Sequence, residues 1–106
     1  MTTQPSLAKP AFTPGPWRVR PRSSGLHQKL VIQVGGALVA RCEGGNAEEA
    51  EANACLIAAA PELYAALRAT QIELLMLHPR LGSPYQHSVS VVLAQVRAVL
   101  AAVEGG

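Results

Sequence analysis

Polar and apolar positions follow two different rhythms along this chain, and the change comes near its middle. Trp17-Arg18-Val19-Arg20 alternates apolar and charged residues, the pattern of a strand with one buried face. Trp17 and Val19 are predicted to face inward and Arg18 and Arg20 outward. Pro21 cannot donate to a ladder, which suits an edge strand. Residues 30–34 are rich in β-branched side chains and predict a second strand. Gly35-Gly36 fits a two-residue hairpin turn, and residues 37–42 complete a third strand.

From residue 46 the period lengthens. Asn46 is a good N-cap with Glu49 at the capping-box position. Glu48, Glu49 and Glu51 complement the positive end of a helix over residues 47–60. Asn53 shares a face of that helix with Leu56, Ile57 and Ala60. A polar residue there is expected to bond backbone of the neighbouring sheet or loop, with ligand binding as the alternative. Pro61, at a first-turn position, opens a second helix over residues 61–77. Leu63, Leu67, Thr70, Leu74 and Leu77 recur on it at spacings of four and three. Residues 78–84 break the pattern. The valine-rich start of the last segment resembles a strand, but Val89, Val92, Leu93, Val96, Val99, Leu100 and Val103 fit one helical stripe. A helix over residues 86–103 is therefore predicted. Its alanine face (Ala94, Ala98, Ala101, Ala102) would let another helix approach closely.

The predicted fold class is α+β. A three-stranded antiparallel β-meander over residues 17–42 is followed by two to three helices packed on one face. The whole of residues 17–106 forms one domain. Residues 1–16 hold four of the eight prolines and read as an extended arm.

Composition qualifies this picture. Apolar residues make up 49% of the 106, but aromatic residues only 4%. A core of Ala, Val and Leu is thin, so self-association into a homodimer or higher homo-oligomer is expected. Trp17, the single tryptophan, is read as the main core plug beneath the sheet. Cys42 and Cys55 have no metal spacing and form no disulfide framework. The N-terminus has no signal-peptide run, and no stretch approaches the roughly 18 continuous apolar residues of a membrane span. A cytoplasmic protein without a membrane partner is expected.

Charge is strongly segregated. Residues 1–42 hold six cations (Lys9, Arg18, Arg20, Arg22, Lys29 and Arg41) and no acid. Residues 43–106 hold three arginines against seven glutamates. Arg18, Arg20 and Arg22, with Lys29 and Arg41, are the candidate site for an anion or an acidic partner, since guanidinium forks match phosphate and carboxylate. The plainer reading is a solvated face whose charges discourage edge pairing. No aromatic residue interleaves the arginines, so a single-strand stacking platform is not expected. A net charge of +2 is also far from that of a dedicated DNA binder. His27, His78 and His87 are scattered with no orienting acid or nucleophile in sequence reach. The glycine pairs lack the phosphate-loop pattern. No catalytic residue, metal ligand or cofactor is predicted.

Thr13-Pro14-Gly15-Pro16-Trp17 and Asn53-Ala54-Cys55-Leu56-Ile57-Ala58-Ala59-Ala60-Pro61-Glu62-Leu63 together resemble a group of small bacteriophage and prophage accessory proteins. The resemblance covers about residues 12–69. The chain departs from the group's pattern at Cys55, where a long residue such as Arg is usual, and at Tyr64, where Leu is usual. Residues 78–106 fall outside it. The resemblance implies an accessory phage product in the bacterial cytoplasm, with motif residues in structural roles: Pro14 and Pro16 direct the chain, Trp17 fills the core, Asn53 ties helix to sheet and Pro61 turns the helix pair.

The expected function is that of a non-enzymatic binding protein interfering with a host process. An antiviral defence is the leading target, masked by protein–protein contact with a host protein or nucleoprotein complex, as in anti-CRISPR-type inhibition. The alternatives are a sponge for a small nucleotide signal, held near Arg18, Arg20 or Arg22, and a nucleic-acid-binding accessory protein.

Overall fold

The computed structural model describes residues 11–21 and 28–105. Arg22 and His27 lie outside the described residues, as does most of the expected N-terminal arm. The order of elements is β1 (Trp17–Pro21), β2 (Gln28–Gln33), β3 (Leu38–Glu43), α1 (Ala47–Ala58), α2 (Ala60–Leu77), a 3-10 turn (His78–Arg80) and α3 (Ser83–Val103). The strands form an antiparallel sheet in the order β1-β2-β3. The fold is α+β, a meander followed by helices. Two compact units divide it, one up to Pro61 and one from Glu62 onward.

In the first unit, register follows the alternation. Trp17 pairs with Gln33, Arg18 with Ile32, Val19 with Val31 and Arg20 with Leu30. Cross-strand partners share a face, so Trp17, Val19, Val31, Ala40 and Cys42 stand together and α1 packs over them. Val31, Cys42 and Ala54 form the buried cluster, with Trp17, Val19, Val39 and Ile57 partly buried around it. Ala50 and Ala54 have no exposed surface. Alanine at these two points lets the helix backbone lie close to the sheet, which small side chains permit and larger ones would not. Trp17 is half-buried rather than enclosed. Its indole Nε1 donates to the Thr13 carbonyl at 3.1 Å, and Phe12 meets the ring edge-on at 6.2 Å.

The β2–β3 turn differs from the expected one. Gly36 N donates to Gln33 O at 2.7 Å, and Gln33 N donates to Ala37 O at 2.8 Å. The turn is therefore centred on Val34-Gly35. Gly36 follows it at φ 103°, a left-handed conformation that glycine adopts without steric cost. The register shifts between Val31 and Ile32, so Val39 and Ala40 both reach the core side across a bulge.

Asn46 caps α1, its side chain accepting from Glu49 N at 2.9 Å. Glu49 Oε1 returns to Gly45 N at 2.7 Å, one residue earlier than a standard capping box places it. A Cβ on Gly44 would stand 2.6 Å from Glu49 Cβ and 2.8 Å from Ala50 N. The glycine is what allows β3 to turn this tightly into α1.

In the second unit, α2 and α3 run antiparallel. Tyr64 and Arg68, near the start of α2, meet Glu104 at the end of α3. His78, just beyond α2, meets Ser90 and Gln86 near the start of α3. The last helix begins at Ser83, earlier than the predicted residue 86. Pro84 occupies the first turn of α3, where its missing N–H has no helical partner to lose. The valine-rich segment is helix throughout. By length and composition α3 is apolar enough to cross a membrane, with a mean hydropathy of 1.3, although Arg97 and several Ser, Gln and His residues interrupt it.

Candidate partner-binding face

Strand alternation decides which cations share a surface. Arg18 and Arg20 lie on the face of β1 opposite Trp17 and Val19. Their partners Ile32 and Leu30 pair onward with Leu38 and Arg41. Two rows thus cross the outer face of the sheet: Arg18–Ile32–Leu38 and Arg20–Leu30–Arg41. Arg18, Arg20, Leu38 and Arg41 are exposed, while Leu30 and Ile32 are half-buried. α1 lies on the other side. Within this unit no described element covers the arginine-bearing face.

Lys29 does not belong to this group. It pairs with Cys42, which turns its side chain toward α1, and its Nζ meets Glu51 Oε1 at 3.3 Å. The one-residue offset along β2 moves it to the opposite face. It is a tie between sheet and helix. The predicted five-cation site is thus corrected: of its described members, Arg18, Arg20 and Arg41 are brought together and Lys29 is not. What the cation pattern missed is the apolar strip of Leu30, Ile32 and Leu38 between the arginines. The alternation in the sequence already contained it, but only the register sets these side chains beside the guanidinium groups.

Asn53 donates through Nδ2 to the Glu43 carbonyl at 3.3 Å, tying α1 to the end of β3. Arg41, Glu43, Asn53 and Leu56 border a shallow groove there. Cys55 is exposed, and its Sγ lies 3.5 Å from Glu51 Oε2. Local desolvation, and then this hydrogen bond and the charge of Glu51, hold the thiol above its ordinary pKa. That environment favours the thiol over the nucleophilic thiolate.

In the second unit, Glu104 Oε2 accepts from Tyr64 Oη at 2.7 Å and from Arg68 Nη1 at 2.6 Å. The Arg68 guanidinium also lies 5.8 Å from the Tyr64 ring centroid. The hydroxyl of Tyr64, and then Arg68, hold the Glu104 carboxyl below the usual carboxylate range. A glutamate at a helix C-terminus opposes the helix dipole, and these two donors offset that. His78 Nε2 lies 2.8 Å from Ser90 Oγ. No acid completes a relay there, and no group of three metal-ligating side chains occurs among the described residues.

The family model described as Salmonella phage P22 protein Y8K6 matches residues 1–106, and the chain belongs to that family. The match extends through residues 78–106, which the two sequence motifs did not reach. No curated protein and no solved structure matches the chain.

Proposed function

We propose that this phage-family chain is a non-enzymatic binding protein that acts in the host cytoplasm by masking a protein surface. The leading target is an antiviral defence, in the manner of an anti-CRISPR inhibitor. The observation that carries this reading is the outer face of the sheet, where Arg18, Arg20 and Arg41 surround Leu30, Ile32 and Leu38. Arginine combines a fork for carboxylates with a weakly hydrated plane that tolerates burial, and interface cores are enriched in it. An apolar strip edged by arginines suits a protein partner with an acidic rim around an apolar centre. A bare phosphate ligand would make no use of the strip.

The test is plaque formation on a CRISPR-immune host, together with affinity recovery of the tagged protein from the same cells. Wild type is expected to restore plaques and to retain a host defence protein in stoichiometric amount. The triple variant Arg18→Glu, Arg20→Glu, Arg41→Glu is expected to lose both. Plaque restoration that survives the triple reversal would remove the proposed face. Thermal stabilisation by a nucleotide, abolished in the triple variant, would replace this reading with the nucleotide sponge.

A further inference from the structure

The helical unit carries an apolar face that its own two helices leave open. Among the described residues of this unit, buried side chains are confined to Leu93, Val96 and Leu100 of α3, and α2 has none. Leu63 and Leu77 of α2 remain 53% and 46% exposed, and Val92 and Val99 of α3 43% and 52%.

These residues fall on one side of the hairpin. On α2, Leu63, Leu67, Thr70, Leu74 and Leu77 follow a four-three spacing. On α3, Tyr85, Val89, Val92, Val96, Val99 and Val103 follow the same spacing. Each stripe is offset by a fraction of a turn from the side chains that meet the other helix. In an antiparallel pair of right-handed helices, these two offsets point the same way. The reverse side supports this placement: there Leu75 and His78 share a groove with Ser90, Ala94 and Arg97. That side also exposes Ile72 and Met76, but polar and charged groups interrupt it. No charged residue falls within the valine–leucine face, and Glu62 and Glu73 stand at the outer edge of α2.

We propose that a second copy of this chain occupies this face, pairing two hairpins into a four-helix bundle. Four-three stripes on both helices are the spacing that interlocking helices need. The same face on two copies is complementary to itself under two-fold symmetry. Two cylinders about 10 Å wide and about 27 Å long present about 540 Å² in plan. That is near the upper limit of what a monomer leaves exposed, roughly 300–600 Å². With the relief of the side chains added, it approaches the roughly 800 Å² per partner of a stable complex. The pairing would also complete a core that two helices cannot enclose alone, since units of about 40 residues rarely hold together without a staple or a partner.

Light scattering on the full chain across a hundredfold concentration range tests this. The expected mass is twice the 11.1 kDa of one chain, falling to one chain in Val92→Glu, Val99→Glu with helical content retained. Ile72→Glu, Met76→Glu, on the reverse side, is expected to keep the wild-type mass. The milder Leu63→Ser, Val103→Ser is expected to raise the dissociation constant at least tenfold if the glutamate pair does not fold. A wild type that stays monomeric at every concentration overturns the proposal. So does a dimer lost through the reverse-side pair but not through the valine pair, or wild-type protein that partitions into neutral phosphatidylcholine vesicles in place of pairing.

Discussion

The sheet unit and the helical unit solve the same burial problem in opposite ways. The sheet unit closes on itself: Val31, Ala50 and Ala54 are fully enclosed, and Cys42 nearly so. The helical unit is longer in regular structure but encloses only one stripe of α3. The difference comes from geometry more than from composition. A sheet offers a broad face that a single helix can cover, provided alanines let the helix come close. Two helices touch only along a line, and the rest of each apolar stripe stays in solvent until something else covers it. The first unit thus closes around its own core and presents an outer arginine face, while the second leaves apolar side chains of both helices in solvent.

The strongest way to break this contrast is to remove volume from both units. Val31→Ala is expected to cost about 2 kcal/mol, from two buried methyl groups and the cavity left behind. Val92→Ala is expected to cost under about 0.5 kcal/mol in a monomer, as an exposed substitution does. Denaturant unfolding of both variants checks this. Equal losses would erase the contrast and mean that Val92 is covered in solution, as the bundle requires.

Gly44→Ala should destabilise the sheet unit by about 1–3 kcal/mol, the usual cost of forced overpacking. The added Cβ would meet backbone of α1 at 2.8 Å, and backbone cannot swing aside. A melting temperature within error of wild type would show that the junction is looser than its geometry implies. Asn46→Ala removes one cap and is expected to cost about 1 kcal/mol. Its effect should appear in amide exchange of the first turn of α1 before it appears elsewhere.

The smallest effect concerns the ends of the helical pair. Glu104 has a folded pKa below its unfolded value. Its contribution is therefore present above the unfolded pKa and lost as pH falls through the folded one. Acidification below the ordinary carboxylate range should loosen the end of α3, while neutral pH should leave it held. The carboxyl chemical shift of Glu104 is the readout. Tyr64→Phe removes the larger cause and should move its midpoint upward. An unchanged midpoint would show that Tyr64 does not hold this end.

Much of this architecture is legible in the residue pattern because it rests on local rules. Alternation at Trp17–Arg20 sets the inward and outward faces of β1. Asn46 marks a helix start by what its side chain can accept, and Pro61 fits a first turn because it has no N–H to leave unpaired. The errors share a different cause. The β2–β3 turn moved by one residue because Gly35-Gly36 satisfies two turn types, and only the cross-strand hydrogen bonds choose between them. Helix α3 starts earlier because Pro84 sits in its first turn, where a missing N–H costs the helix nothing. Lys29 stands with the arginines only in the linear order of charges, which carries no face. Register gave it to Glu51 instead.

The sequence by itself determined the order and type of the elements, the cap on α1 and the segregation of charge, since each depends on neighbours within a few residues. Only the tertiary structure decided that Arg18, Arg20 and Arg41 frame an apolar strip, that Tyr64 and Arg68 hold Glu104 some forty positions away, and that the stripes of α2 and α3 open to the same side. Those facts depend on pairing register and on the rotation of one helix against another. Both are set by long-range packing, which no local pattern records.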